Sequence, residues 1–199
     1  VTGFDAIVLA GGRASRLGGT PKPGLVLDGA TLLDRALDAV QGAASVVVVG
    51  PDDLDAPGVL RTREAPPFGG PVAGIDAGLR ALDRAGAPGV VVLLAVDVPG
   101  ASPAIPRLRA ALADDGDGTC LVRDGHPQWL VAALRRPALA DALQTLRAEA
   151  GSVHDQPVRR LAALLRLTLV PDDDGASADV DTWDDLARLE AARTKGTTP

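Results

Sequence analysis

The stretch from Leu9 to Lys22 reads LAGGRASRLGGTPK and follows directly on a short apolar run. Its four glycines let backbone amides approach an anion without hindrance from a Cβ, and Arg13, Arg16 and Lys22 bring three positive charges. No acid occurs between Asp5 and Asp28, so a chain of formal charge −6 keeps a cationic segment at the end of a predicted strand. Open α/β sheets place their ligands at the carboxyl ends of strands, and phosphate is the group such a loop suits. The loop is not a P-loop, because Gly-Lys-Ser/Thr is missing, and G-x-G-x-x-G occurs nowhere in the chain. A glycine-rich turn with solvated arginines is the plainer reading of the same residues. Of the 20 basic residues only Lys22 and Lys195 are lysines, so Lys22 points to a need for a compact ammonium where arginine is otherwise the default cation.

Asp97 closes the apolar run VVVLLAV and is followed by Val98 and Pro99. A carboxylate at a strand end can cap the next helix or hold a hard cation such as Mg²⁺, which prefers carboxylate and phosphate oxygens. Pro99 and Ser102 offer other ways to start that helix. Residues 64–79, EAPPFGGPVAGIDAGL, place Pro71 where a helix begins, with Gly74 and Gly78 allowing close packing on a sheet. In DVDTWDDLARLE, residues 179–190, Thr182 followed by Asp184 and Asp185 predicts a helix N-cap with an acidic first turn, and Asp181 beside it reads equally as a cap or as a ligand. His126 and His154 lack metal-pair spacing, and no G-x-S-x-G supports serine hydrolysis. Arg159 and Arg160 read as a solvated helix face, with a second phosphate as the alternative.

LAGGRASRLGGTPK closely resembles the signature LAGG-x-S-x-R-M-G-x-x-K of nucleotidyltransferases, in particular the molybdenum cofactor guanylyltransferase family, with Leu17 in place of Met. The resemblance implies that Leu9, Ala10, Gly11 and Gly12 meet the nucleotide through the backbone, while Arg16 and Lys22 hold the triphosphate. It places the metal-binding Asp at Asp97, in DVP against D-x-P, and makes Glu64 the nearest match to an acidic nucleotide contact. DVDTWDDL is similar to the closing N-x-N-T-P-E-D-L, with Asp179 and Asp181 where the pattern has Asn and Trp183 where it has Pro; Asp181 becomes the candidate second ligand. Gly50 stands where the family often has a polar nucleotide contact. The implied activity is Mg²⁺-dependent transfer of GMP from GTP to molybdenum-bound molybdopterin with release of pyrophosphate, with Arg16, Lys22 and Asp97 carrying catalysis. Partner proteins that deliver the cofactor transiently are implied too. The alternatives are a cytidylyltransferase for the same cofactor, a sugar-phosphate nucleotidyltransferase, and a nucleotide-binding regulatory domain without chemistry.

To position these residues the chain needs buried strands. Ile7–Ala10, Val46–Val49 and Val90–Val96 are Val-rich apolar runs of the kind buried on both faces of a parallel sheet. Helical patterns at residues 32–40, 72–85, 103–113, 137–150 and 158–165 alternate with them. Further strands are expected at 59–63, 118–122, 129–134 and 167–170, that at 129–134 antiparallel because few residues separate it from 118–122. The fold class is α/β, a three-layer α/β/α sandwich whose mostly parallel, Rossmann-like sheet carries an antiparallel strand. Residues 1–192 read as a single domain, ending in a helix through Ala192, and residues 193–199 as a flexible tail.

Composition narrows the classes. With 46% hydrophobic and 23% charged residues, the 199-residue chain reads as one globular domain. Net acidity argues against a general nucleic-acid-binding face. Cys120 is the only cysteine, so no intrachain disulfide forms. No apolar run approaches the length of a membrane span, and the first ten residues contain Asp5 and no basic region, so neither membrane nor signal peptide is expected and a cytoplasmic protein is.

Overall fold

The computed structural model describes residues 3–12 and 17–196 of the chain. It opens with β1 (Asp5–Leu9), followed after the glycine loop by a single 3₁₀ turn at Lys22–Gly24 and by β2 (Val26–Leu27) and β3 (Ala30–Thr31). Asp28 and Gly29, both at positive φ, close these two short strands into a tight hairpin. Helix α1 (Leu32–Ala39) starts on a capping box formed by Thr31 and Asp34. Then come β4 (Val46–Val49), β5 (Leu60–Thr62), α2 (Gly70–Ala81), β6 (Val90–Ala95), α3 (Ala104–Ala110), β7 (Gly118–Arg123) and β8 (His126–Arg135). The chain ends with α4 (Arg136–Ala150), α5 (Val158–Ala162), β9 (Leu167–Pro171) and α6 (Trp183–Gly196).

Seven strands form one sheet in the order β5-β4-β1-β6-β8-β7-β9. The pairs from β5 to β6 are parallel, β8 runs antiparallel to both β6 and β7, and β9 is parallel to β7. The expected antiparallel strand is therefore β8, and the Asp124–Gly125 turn that reverses the chain accounts for it. Alternation along the strands builds the three layers. Ala6 and Val8 of β1 and Val92 and Leu94 of β6 face α1 and α3, while Ile7, Leu9, Val91 and Leu93 face α2 and α4. A Cβ at Gly78 would stand 2.7 Å from Ile7 Cγ2, so glycine lets α2 lie against the sheet.

Several boundaries move; α2 begins at Gly70 and ends at Ala81, and β8 extends over His126–Arg135. Helix α3 is shorter than its apolar pattern, α5 stops at Ala162, and α6 runs past Ala192 to Gly196. No helix among the described residues is long and apolar enough to cross a membrane.

The amino ends of the strands are fastened by charge. Asp5, fully buried, accepts hydrogen bonds from Arg84 Nη1 and Nη2 at 2.8 and 2.7 Å and from Arg136, which also donates through Nε to the Pro88 carbonyl. Breaking a buried pair from one side costs far more than the pair is worth, because the remaining charges lose their partner. Asp5→Ala is expected to lower the melting temperature by roughly 6 °C or more without altering ligand affinity, since the cluster lies at the end of the sheet away from the cavity. A thermal melt with unchanged midpoint would show that solvent replaces the carboxylate.

Candidate functional site

The carboxyl ends of β1, β4 and β6 open into a cavity of about 1060 Å³. Ala10 N donates to Val49 O at 2.8 Å and Val96 N to Leu9 O at 2.9 Å, so the ladder continues one residue beyond the strands and aims the following loops outward. Leu9, Ala10, Gly11 and Gly12, which the resemblance places at the nucleotide, all line the cavity. Gly18 and Gly19, at φ 65° and 84°, turn the chain back, and Leu17 anchors the loop in the core with 1% exposure. Arg13 and Arg16 lie outside the described residues.

Lys22 is placed by the turn that contains it. Pro21 presets an extended backbone, Leu25 N donates to Lys22 O at 3.0 Å, and buried Pro23 pins the turn to the core. The Lys22 ammonium then reaches two carboxylates, with Nζ 2.6 Å from Asp97 Oδ2 and 2.6 Å from Asp181 Oδ1. Burial is the strongest single influence on Lys22 and disfavours its charge, but the bonds and charges of Asp181 and Asp97 together outweigh it and hold its pKa above the usual value. Asp97 is pushed up from the ordinary carboxylate range by burial, against which Lys22 pulls, while the charges of Asp179 and Asp181 add to the rise.

Asp181 is held beside Asp97 by a backbone bond. Val180 N donates to the Asp97 carbonyl at 2.8 Å and stitches the 179–181 segment to the end of β6. The turn that brings it there is knotted by buried Asp172, which accepts from Ala176 N at 2.7 Å and Ser177 N at 2.9 Å. Asp181 is not the helix cap. Thr182 and Asp185 form the capping box of α6, with Asp185 N donating to Thr182 Oγ1 at 3.2 Å and Thr182 N to Asp185 Oδ2 at 2.9 Å. The Thr182 hydroxyl, with its backbone amide, holds the Asp185 carboxyl below its usual range. Asp179 pairs with Arg123, at 3.7 Å.

The opposite wall comes from α2 and the loops after β4 and β5. The amino end of α2 has no side-chain cap, and Gly70, Pro71 and Gly74 line the cavity there. Glu64 lines it too, and its Oε1 accepts from Phe68 N at 3.0 Å. Gly50 is not among the lining residues. A Cβ there would press on Leu54 and on the Ala10 backbone, so this glycine serves close packing, and Pro51, Asp53, Leu54 and Asp55 present the β4 loop to the cavity instead.

Two converging carboxylates with no third acid or histidine suit Mg²⁺, which binds through one or two carboxylates and takes its other oxygens from water and substrate phosphates. Among the described residues no group of three or more such ligands exists. Among the described residues the site offers the Lys22 ammonium, an uncapped helix end and a pair of carboxylates around one cavity.

Residues 6–173 match the MobA-like NTP transferase domain. The chain belongs to the MobA-like NTP transferase family. It is similar to the molybdenum cofactor guanylyltransferase of Rhizobium meliloti, 34% identical over 80% of this chain and 73% of that one. The protein of the same name from Acidiphilium cryptum is 32% identical over 94% of each chain. Among solved structures, molybdopterin-guanine dinucleotide biosynthesis protein A from Archaeoglobus fulgidus shares the fold with a TM-score of 0.74 and 24% identity, over 96% of this chain and 99% of that one. So does the 2-C-methyl-D-erythritol 4-phosphate cytidylyltransferase of Thermus thermophilus, with a TM-score of 0.70 and 18% identity, over 95% of this chain and 98% of that one.

Against the MobA-like NTP transferase framework, sequence reasoning missed Pro21, Pro23, Leu54 and Phe68 as cavity residues. A proline on each side of Lys22 was the available signal that its backbone is fixed. Phe68 carried none, because one aromatic in a Pro-rich loop has no period to read.

Proposed function

We propose that this protein transfers GMP from GTP to molybdenum-bound molybdopterin in the cytoplasm, with Mg²⁺ as cofactor. The observation that carries the reading is Lys22 held between Asp97 and Asp181 at the edge of the glycine-loop cavity. The similarity to molybdenum cofactor guanylyltransferases over most of the chain supports the acceptor. A phosphate oxygen of the acceptor forms a bond to the α-phosphorus of GTP in line with the α–β bridging bond, which breaks and leaves its electron pair on pyrophosphate. The loop backbone that begins at Leu9 and Ala10 turns the amides of Gly11 and Gly12 to the triphosphate, and these with the Lys22 ammonium and Arg16 from the same loop hold it and neutralise charge as it shifts to the leaving group. Asp97 and Asp181 would hold Mg²⁺, which when bound polarises phosphate oxygens. Alignment and electrostatics are the whole task, since no protein group forms a covalent bond.

Glu64 carries the choice of base in this reading. Its carboxylate accepts from guanine N1 and N2, a pair cytosine does not present, and a buried pair left unmet is costly. Pyrophosphate release is measured with each of four nucleoside triphosphates, with no acceptor, with molybdenum-bound molybdopterin or with a sugar phosphate, and with Mg²⁺ or excess chelator. Release only with GTP, acceptor and metal together is expected; faster release with CTP, or with a sugar phosphate as acceptor, replaces this function by one of its alternatives. Calorimetry on Glu64→Gln tests the base separately, with GTP preference over CTP expected to shrink at least about tenfold. An unchanged preference would remove Glu64 from base recognition.

A further inference from the structure

We infer that Phe68 is the stacking platform for the nucleobase and supplies affinity for its ring face, as distinct from its edge. The inference rests on the nucleotide reading of the cavity but on neither the identity of the base nor the acceptor. The chain holds only two Phe and two Trp and no Tyr. Phe4 is in the core, whereas Phe68 lines the cavity with 55% of its surface exposed. Its backbone lies at φ 64°, in the left-handed region where a bulky side chain is strained and glycine is the usual occupant. Gly69 and Gly70 follow directly, so a glycine at 68 would have continued an existing run. A phenylalanine held in that conformation indicates that its ring is what the position presents.

The surrounding contacts hold the ring in place. Glu64 Oε1 accepts from Phe68 N at 3.0 Å and closes the loop on itself. Gly69 packs directly on the His154 ring, where a Cβ would collide with Nδ1, and the Gly69 carbonyl accepts from Asp155 N at 2.7 Å. The Arg63 guanidinium sits over the phenyl ring, 5.5 Å from its centroid, and braces it by a cation–π contact. The loop is thus tied to the segment after α4, and the ring is exposed without being loose.

Position in the cavity selects the part of the ligand it meets. The cation-binding end is made by Lys22, Asp97 and Asp181 on the β6 side, and Phe68 stands with Glu64 on the wall fed by β5. A nucleotide with its phosphates at the glycine loop lays its base toward that wall. Base–aromatic stacking needs only a π face, which every base has, and so complements an edge contact that discriminates.

The test is calorimetry in Mg²⁺ on the parent, Phe68→Gly and Phe68→Trp, with GTP and with inorganic tripolyphosphate, which has no base, as ligands. Gly relieves the backbone and removes the ring, so the melting temperature should hold or rise while GTP binding weakens about 10- to 100-fold and tripolyphosphate binding stays within twofold. Trp should keep GTP affinity within about threefold. GTP binding in Phe68→Gly equal to the parent's, or equal losses for GTP and tripolyphosphate, would overturn the stacking role alone. A parent that binds no GTP would overturn the nucleotide reading beneath it.

Discussion

Lys22→Ala is expected to lower nucleotidyl-transfer turnover by about 100- to 1000-fold, the range for removing one preorganised stabiliser of developing charge. The backbone is fixed by Pro21 and Pro23, so the ammonium, which donates at 2.6 Å to each of two carboxylates, has only its side chain to turn toward the triphosphate when the metal takes the acid pair. Lys22→Arg should recover only a small part of the loss. A planar guanidinium cannot occupy one point between Asp97 and Asp181 as a tetrahedral ammonium does. A second readout separates charge from shape. The lysine is itself the cation between the two acids, so its removal should tighten binding of Mn²⁺ in the absence of nucleotide while weakening binding of GTP. Manganese titrations followed by electron paramagnetic resonance measure the first and calorimetry the second. Turnover within threefold of the parent in Lys22→Ala would eliminate the role, and Mn²⁺ affinity unchanged would show that the lysine does not compete for the acid pair.

Buried strands are legible because burial on both faces leaves no choice of residue, and Val46–Val49 is read from sequence to the residue. The β2–β3 hairpin is not, since two-residue strands have no period, although Asp28-Gly29 is a turn signal on its own. Asp181 shows the limit for the site. Read along the chain it is one of several acids before a helix, and cap and ligand are equal readings. What separates them is the bond from Val180 N to the Asp97 carbonyl, a contact between residues with no local relation, and the capping box that leaves Asp181 out. Glu64 is legible as an acid near a helix start, but its hold on Phe68 N depends on a loop conformation no pattern announces.

Asp97→Asn is expected to reduce Mg²⁺-dependent turnover by about 100-fold or more and to raise the Mg²⁺ concentration needed for half-activity, while the fold survives. Stability follows from the sign of the shift. Burial raises the Asp97 pKa above its unfolded value of 3.8, so the fold favours the neutral carboxyl. Its contribution is therefore most favourable below the unfolded pKa, falls as pH rises to the raised folded pKa, and remains a deficit above it. Asparagine at neutral pH removes that deficit and keeps the shape, offsetting the loss of one partner for Lys22, so its melting temperature should lie within a few degrees of the parent's. Asp181→Asn should show the same metal dependence with a smaller loss of turnover, because Asp181 is the more exposed of the two acids, at 41% against 22%. Its melting temperature should not move, since Thr182 and Asp185 cap α6 without it. Magnesium titrations of turnover beside thermal melts decide the matter: a variant that melts early and keeps the parent's Mg²⁺ requirement assigns that carboxylate to structure, whereas a shifted requirement on an intact fold assigns it to the cation.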